Sequence, residues 1–239
     1  MASYFAAAHQ RRAELTEQVY QLTKGTVHYG PFTGMKIERK TGWGDGDMGS
    51  KLLGCYECEI YPYINMMMSY KPNKLVNVGC GEGFYGIGIG LQCPGISVTM
   101  IDIKHNILDI ARLNADRNAI KAEFSLESNP EFIDSALSPF SRPMVVMDCE
   151  GFEVDLLDPN KVPSLLKSMI LVEVHDFIRP QASFLLTKRF ESSHRIFSIS
   201  QGAKNPYKPI MSQYTDWDKM LLCVEGRPCT MSWLCMLPN

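Results

Sequence analysis

The stretch Val76-Asn77-Val78-Gly79-Cys80-Gly81-Glu82-Gly83-Phe84-Tyr85-Gly86 decides the fold. A short apolar run over 75–79 ends in glycines at alternate positions and passes into residues 84–92, which read as a helix. Glycine at such a turn permits positive φ and lets another group approach the backbone without meeting a Cβ. The N–H groups at the helix start then face whatever binds there. Outward from this turn, apolar strands and helices alternate. Residues 96–102, 121–126, 143–148, 168–174 and 195–200 read as strands, and 107–118 and 182–190 as helices. Residues 219–226 and 231–237 read as two closing strands around Gly226-Arg227-Pro228. The alternation predicts an α/β protein with a mostly parallel seven-stranded sheet, helices on both faces and an antiparallel addition at one edge. Before the core, 4–23 and 50–69 read as helices, the second kinked or split at Pro62. Residues 27–37 read as short strands with a turn, and 42–49 as a glycine-rich loop able to cover a site. The expected division is an N-terminal helical cap over 1–70 and a cofactor-binding core over 71–239.

The chain has 239 residues, of which 45% are hydrophobic and 21% charged, values of an ordinary globular protein that exclude disorder. With 24 basic against 26 acidic residues, nothing points to a nucleic-acid footprint or a polybasic membrane anchor. No apolar stretch is long enough for a spanning helix. The opening SYFAAAHQRRAELTEQ lacks the features of a signal peptide. Eight cysteines fall below the density of a disulfide scaffold, so a reducing, cytoplasmic setting is expected. Cys55-x-x-Cys58 has no second half at zinc spacing. Neither a G-x-S-x-G elbow nor a P-loop is present, which argues against a serine hydrolase and a nucleoside triphosphatase.

Asp102 ends the second strand of the core, after the glycine turn. Alone it reads as a helix cap; beside that turn it reads as the acceptor for the two hydroxyls of a ribose. Gly81 to Gly86 fits G-x-G-x-x-G, so a nicotinamide dinucleotide has to be weighed. The turn begins at Gly79, however, and in that register Phe84 stands where a dinucleotide site needs glycine or alanine. Gly79, Gly81 and Gly83 suit a ligand with a ribose and an adenine but no pyrophosphate, such as S-adenosyl-L-methionine.

The order VNVGCGEGFYG, IDIKHN, VVMDCEGFE and LVEVH resembles the class I S-adenosylmethionine-dependent methyltransferases. The Asp148-Cys149-Glu150-Gly151-Phe152-Glu153 block, with the later Val172-Glu173-Val174-His175, is similar to the FkbM-type branch. The resemblance covers residues 70–200. It departs at Asp102-Ile103, where FkbM-type relatives often carry Glu-Pro. It implies a Rossmann-like methyltransferase fold. By that likeness Gly79, Cys80, Gly81 and Gly83 hold the cofactor by backbone, Asp102 takes the ribose, Ile103 packs on the adenine, and Asp148 lies near the sulfonium or ammonium.

Asp148, Glu150, Glu173 and His175 follow strand ends and can converge. They read either as substrate and cofactor groups or as a hard-cation site of oxygen and nitrogen ligands. The first reading is preferred, with Asp148, Glu150 and His175 as catalytic candidates, and no metal is assigned. Capping carboxylates and a satisfied core histidine are the plain alternatives. In Tyr56-Glu57-Cys58-Glu59 the two carboxylates do not share a helix face, and Glu57 is the one better placed to reach the cofactor from the cap. An exposed charge is the alternative for it. The expected function is methyl transfer to a small-molecule acceptor, an oxygen by resemblance, with Glu150 or His175 as base and with neither nucleic acid nor membrane as partner. Two other readings stay open: self-reaction of the cofactor releasing methylthioadenosine, and a binding module without turnover.

Overall fold

Parallel strands need long crossovers, and this chain supplies helices for them. The computed structural model describes residues 2–39 and 47–239. Its strands are β1 (Lys74–Val78), β2 (Ser97–Ile101), β3 (Ala122–Ser125), β4 (Pro143–Met147), β5 (Met169–Val174), β6 (His194–Ser200) and β7 (Ser232–Pro238). The helices are α1 (Ala2–Thr23), α2 (Met48–Leu52), α3 (Tyr61–Ser69), α4 (Phe84–Gln92), α5 (His105–Arg117), α6 (Pro130–Leu137), α7 (Glu153–Leu156), α8 (Ala182–Phe190) and α9 (Asp216–Leu222).

All seven strands join one sheet in the order β3-β2-β1-β4-β5-β7-β6. The first five are parallel, while β7 runs antiparallel to both β5 and β6. The expected α/β class and mostly parallel seven-stranded sheet are therefore present. Every residue of β1, β4 and β5 is buried, as in strands covered on both faces. One core lies between the sheet and the N-terminal segments, joining Leu15, Phe32, Leu52 and Ile64 to Leu75, Met100 and Met144. The other lies beneath the opposite face, where Ile133, Leu137, Leu186 and Phe190 meet Val76, Val145 and Ile170.

The chain reverses its winding between β1 and β4, which are neighbours in the sheet but far apart in sequence. In open α/β sheets such a switch point leaves a crevice at the carboxyl ends of the strands. Val78 pairs with Met147 across β1 and β4, so Gly79 and Asp148 leave the sheet at one level.

Three local expectations differ from the structure. Between residues 26 and 37 the only pairing among the described residues is a single bridge from Thr26 to Lys36. The helix expected over 50–69 is broken by turns and a 3-10 segment, Cys58–Ile60, and Pro62 sits in the first turn of α3 without kinking it. That position needs no backbone donor. The strand expected over 219–226 begins as the end of α9, which Thr215 caps by accepting from the backbone N–H of Asp218. A five-residue apolar run, Met220 to Val224, does not distinguish strand from helix, and here the cap and the early acids Asp216 and Asp218 decide it. Residues 42–46 of the glycine-rich loop lie outside the described residues.

Candidate active site

The glycine turn is fixed by contacts that tolerate no side chain. Gly79 has φ 68°, and a Cβ there would lie 1.7 Å from the carbonyl oxygen of Asp148. Gly83, at φ 86°, precedes α4 in the left-handed region that disfavours other residues. Asn77, buried in β1, straps the turn: its Oδ1 accepts from the N–H of Gly86 at 3.1 Å and its Nδ2 donates to the Val146 carbonyl at 3.3 Å. Asn114 of α5 donates to the Glu82 carbonyl at 2.9 Å and accepts from the N–H of Glu38 at 2.6 Å. It thereby ties the N-terminal segment to the turn. Cys80 is buried beside it, and burial holds its thiol well above the ordinary range, with the Asp102 charge adding to that.

Asp102 follows β2 and is only 4% exposed. Its two oxygens accept from the N–H of Gly81 at 3.2 Å and of Lys104 at 3.0 Å, and the carboxylate keeps acceptor capacity toward the crevice. A cleft of about 370 Å³ is lined by Gly79, Asp102, Ile103, Asp148, Cys149 and Phe152. A second, of about 200 Å³, is lined by Tyr56, Cys80, Gly81, Asp148, Glu150 and Arg227. Both clefts include Gly79, Asp102, Asp148 and Glu150, so they adjoin. Ile103, Phe152, Phe177 and Ile178 are exposed apolar side chains, and the first two line the larger cleft.

Acids dominate the floor. The His175 Nδ1–H donates to Glu153 Oε1 at 2.6 Å, and the same oxygen accepts from the Gly151 N–H at 3.0 Å. Burial opposes ionisation of Glu153, but these donors hold its carboxyl below the usual range. Burial also opposes charge on His175, yet Glu153, Asp148 and Glu150 outweigh it and raise the imidazole above its ordinary value. His175 Nε2 faces Glu150 at 3.4 Å, Asp148 at 3.6 Å and Glu173 at 3.8 Å. Burial raises the Asp148 carboxyl against the pull of His175. The Glu173 carboxyl is pushed up to about 11, first by burial and then by the Asp148 and Glu57 charges.

Glu57 is not on a helix face as the sequence suggested. It sits at φ 46° before the 3-10 segment and is fully buried. The turn aims its carboxylate inward, where Arg227 and the Tyr85 hydroxyl donate to it and its own N–H donates to Glu225 at 2.8 Å. Burial outweighs Arg227 and lifts its carboxyl to about 7. Arg227 also donates to Glu173 Oε1 at 2.7 Å and reaches Glu225 at 3.5 Å. Glu57 lines neither cleft; its neighbour Tyr56 does.

The structure thus gathers Gly79, Cys80, Gly81, Asp102, Ile103, Asp148 and Glu150 around the clefts, with His175 beneath them. Gly83 stands one step behind, at the N-terminus of α4. Sequence reasoning missed Asn77, Asn114 and Arg227. The last was read only as part of a turn, and no spacing signal marks an arginine 170 residues from its partner.

A family model described as methyltransferase small domain matches residues 45–135, the segment that holds the glycine turn and Asp102. Release factor glutamine methyltransferase from Chlamydia trachomatis serovar L2 is 32% identical over 84 residues, 35% of this chain and 27% of that protein. Ribosomal RNA small subunit methyltransferase C from Buchnera aphidicola is 40% identical over 68 residues, 28% of this chain and 20% of that protein. The matched region therefore spans about a quarter of the length of these curated relatives. Ribosomal protein L11 methylase from Lactobacillus delbrueckii subsp. bulgaricus superposes with a TM-score of 0.50 at 16% identity, over 86% of this chain and 85% of that one. These relatives correct one expectation. By name they act on a protein and on ribosomal RNA, which overturns the expected small-molecule acceptor and the exclusion of nucleic acid. Among the described residues no helix is long and apolar enough to cross a membrane. The shared fold and the match over the glycine turn support an S-adenosylmethionine-dependent methyltransferase core.

Proposed function

We propose that this chain transfers a methyl group from S-adenosyl-L-methionine to a side-chain nitrogen presented by a protein. The observation that carries the reading is the pair of adjoining clefts at the carboxyl ends of β1, β2 and β4, both touching Gly79, Asp102 and Asp148. The residues fit the cofactor: a side-chain-free turn at Gly79 that lines both clefts, a buried carboxylate at Asp102 for two hydroxyls, and apolar Ile103 and Phe152 for a ring. When bound, that cofactor supplies an electrophilic methyl on a cationic sulfur. Asp148, facing both clefts, balances positive charge there. Alignment of the acceptor is the protein's main contribution and can be worth roughly 7–11 kcal/mol.

A protein acceptor is favoured by charge. The floor presents Asp148 and Glu150, which repel phosphates and accept hydrogen bonds from N–H groups. The release factor methyltransferases among the relatives support the same reading by name. Glu150, with its side chain 64% exposed, is the group placed to orient or deprotonate the acceptor. Glu153, Asp148 and Glu150 raise the His175 imidazole above its ordinary value against the effect of burial, and it serves to position those carboxylates. The Asp148 to Glu153 block is our ground for keeping the chain near the FkbM-type branch. Calorimetry with S-adenosylhomocysteine tests the cofactor half, and absence of binding refutes it. Incubation of purified protein, cell extract and radiolabelled S-adenosylmethionine tests the acceptor half. Protease-sensitive, nuclease-resistant label is expected; nuclease-sensitive label refutes a protein acceptor.

A further inference from the structure

We infer that Asp148, Glu173 and His175 form a divalent-cation site at the floor of the cleft. One ligand atom from each lies within 4.8 Å of the others. The measured separations from His175 Nε2 are 3.6 Å to Asp148 Oδ1 and 3.8 Å to Glu173 Oε2. Around a cation about 2.1 Å from each ligand, neighbouring ligand atoms stand about 3.0–3.4 Å apart, so the two separations from His175 need to contract by only a few tenths of an ångström.

The second observation is independent of that clustering. Asp148 Oδ1 and Glu173 Oε2 are buried and lack any hydrogen-bond partner. Glu173 is wholly buried, and its other oxygen is already taken by Arg227. Its free oxygen points at His175 Nε2 over a distance too long for a hydrogen bond. Buried acceptors without a donor are rare and costly, so these two need either a proton held between them or an outside positive group, which His175 would join. His175 is oriented for that role: Nδ1–H is fixed by Glu153, which turns Nε2 toward the two oxygens, the arrangement that carboxylates impose on metal-binding histidines. Two carboxylates and one imidazole suit a hard or borderline divalent ion such as Mn²⁺ or Mg²⁺. The open side of the site faces the cleft, because Asp148 lines both of its parts. A cation there would give an acceptor a positive anchor beside the point of transfer. The inference goes beyond the proposed methyl transfer and is tested apart from it.

Purified full-length protein, stripped with a chelator, is titrated with Mn²⁺ alone while the electron paramagnetic resonance signal of free Mn²⁺ is followed. One equivalent is expected to quench the signal, with a dissociation constant below about 100 μM. Glu173→Gln and His175→Gln are expected to weaken binding at least tenfold, whereas Asp109→Asn on the exposed face of α5 leaves it unchanged. Asp148→Asn, measured beside them with circular dichroism, removes a ligand at the cleft surface and guards against misfolding of the buried variants. No quenching by the wild-type protein overturns the site, and then a proton shared by Asp148 and Glu173 accounts for the two oxygens. Wild-type quenching retained in Asp148→Asn and Glu173→Gln overturns it as well. S-Adenosylhomocysteine binding without Mn²⁺ quenching removes the cation site and leaves the methyl-transfer reading standing. Quenching without cofactor binding does the reverse.

Discussion

At Gly79 a single methyl group meets the backbone of the next strand. A Cβ would stand 1.7 Å from the Asp148 carbonyl oxygen, and φ is already 68°. Gly79→Ala is therefore expected to cost a few kcal/mol in denaturant unfolding and to abolish S-adenosylhomocysteine binding by calorimetry. Asp102→Asn keeps the shape but not the charge, and its affinity for that ligand should fall about 10–100-fold. Glu57 gives a pH signature. Burial lifts its carboxyl to about 7 when folded, against an ordinary value of 4.5. A raised acid contributes most to stability below its unfolded value, and that contribution is lost as pH rises through its folded value. The melting temperature should thus carry a downward component between about pH 4.5 and 7, and Glu57→Gln should flatten it. A slope unchanged in that variant would show that Glu57 is ionised throughout.

Among the elements, β7 joins the edge strand β6 to the parallel strands through β5. Trp233 lies near its start, 1% exposed, with its ring 6.1 Å from that of Tyr85. Trp233→Ala should cost about 3–5 kcal/mol, read as a shift in the urea midpoint at constant m-value. At this scale the sequence was legible where periodicity is strong. The five parallel strands, α4 and α5 lie where their apolar patterns put them, because burial on both faces leaves a continuous apolar run. The segments around 27–37, 50–69 and 219–226 were not legible. Their form depends on a bridge, a turn and a cap that tertiary contacts select.

Across the whole molecule, Arg227 joins three distant parts. It donates to Glu57 in the N-terminal region, to Glu173 in β5 and to Glu225 beside it. Arg227→Met leaves the buried Glu57 carboxylate without its cation, so a loss of about 3–5 kcal/mol is expected above neutral pH, shrinking as Glu57 protonates in acid. Of the candidate site, the glycines, Asp102 and Asp148 could be read because each follows a strand in a recognisable pattern. Glu57 could be named but not placed, since its left-handed turn and its distant arginine leave no local trace.

The strand order has a consequence for how the sheet is completed. β6 precedes β7 in sequence but among the described residues pairs as a strand only with it, and β7 alone covers the outer side of β5. Until β7 has folded back after the connection 201–231, β5 presents an open row of amides and carbonyls and β6 drifts without a neighbour. Such a bare flank is where a chain pairs with the wrong partner, so mispairing at β5 is expected to concentrate in states that lack β7.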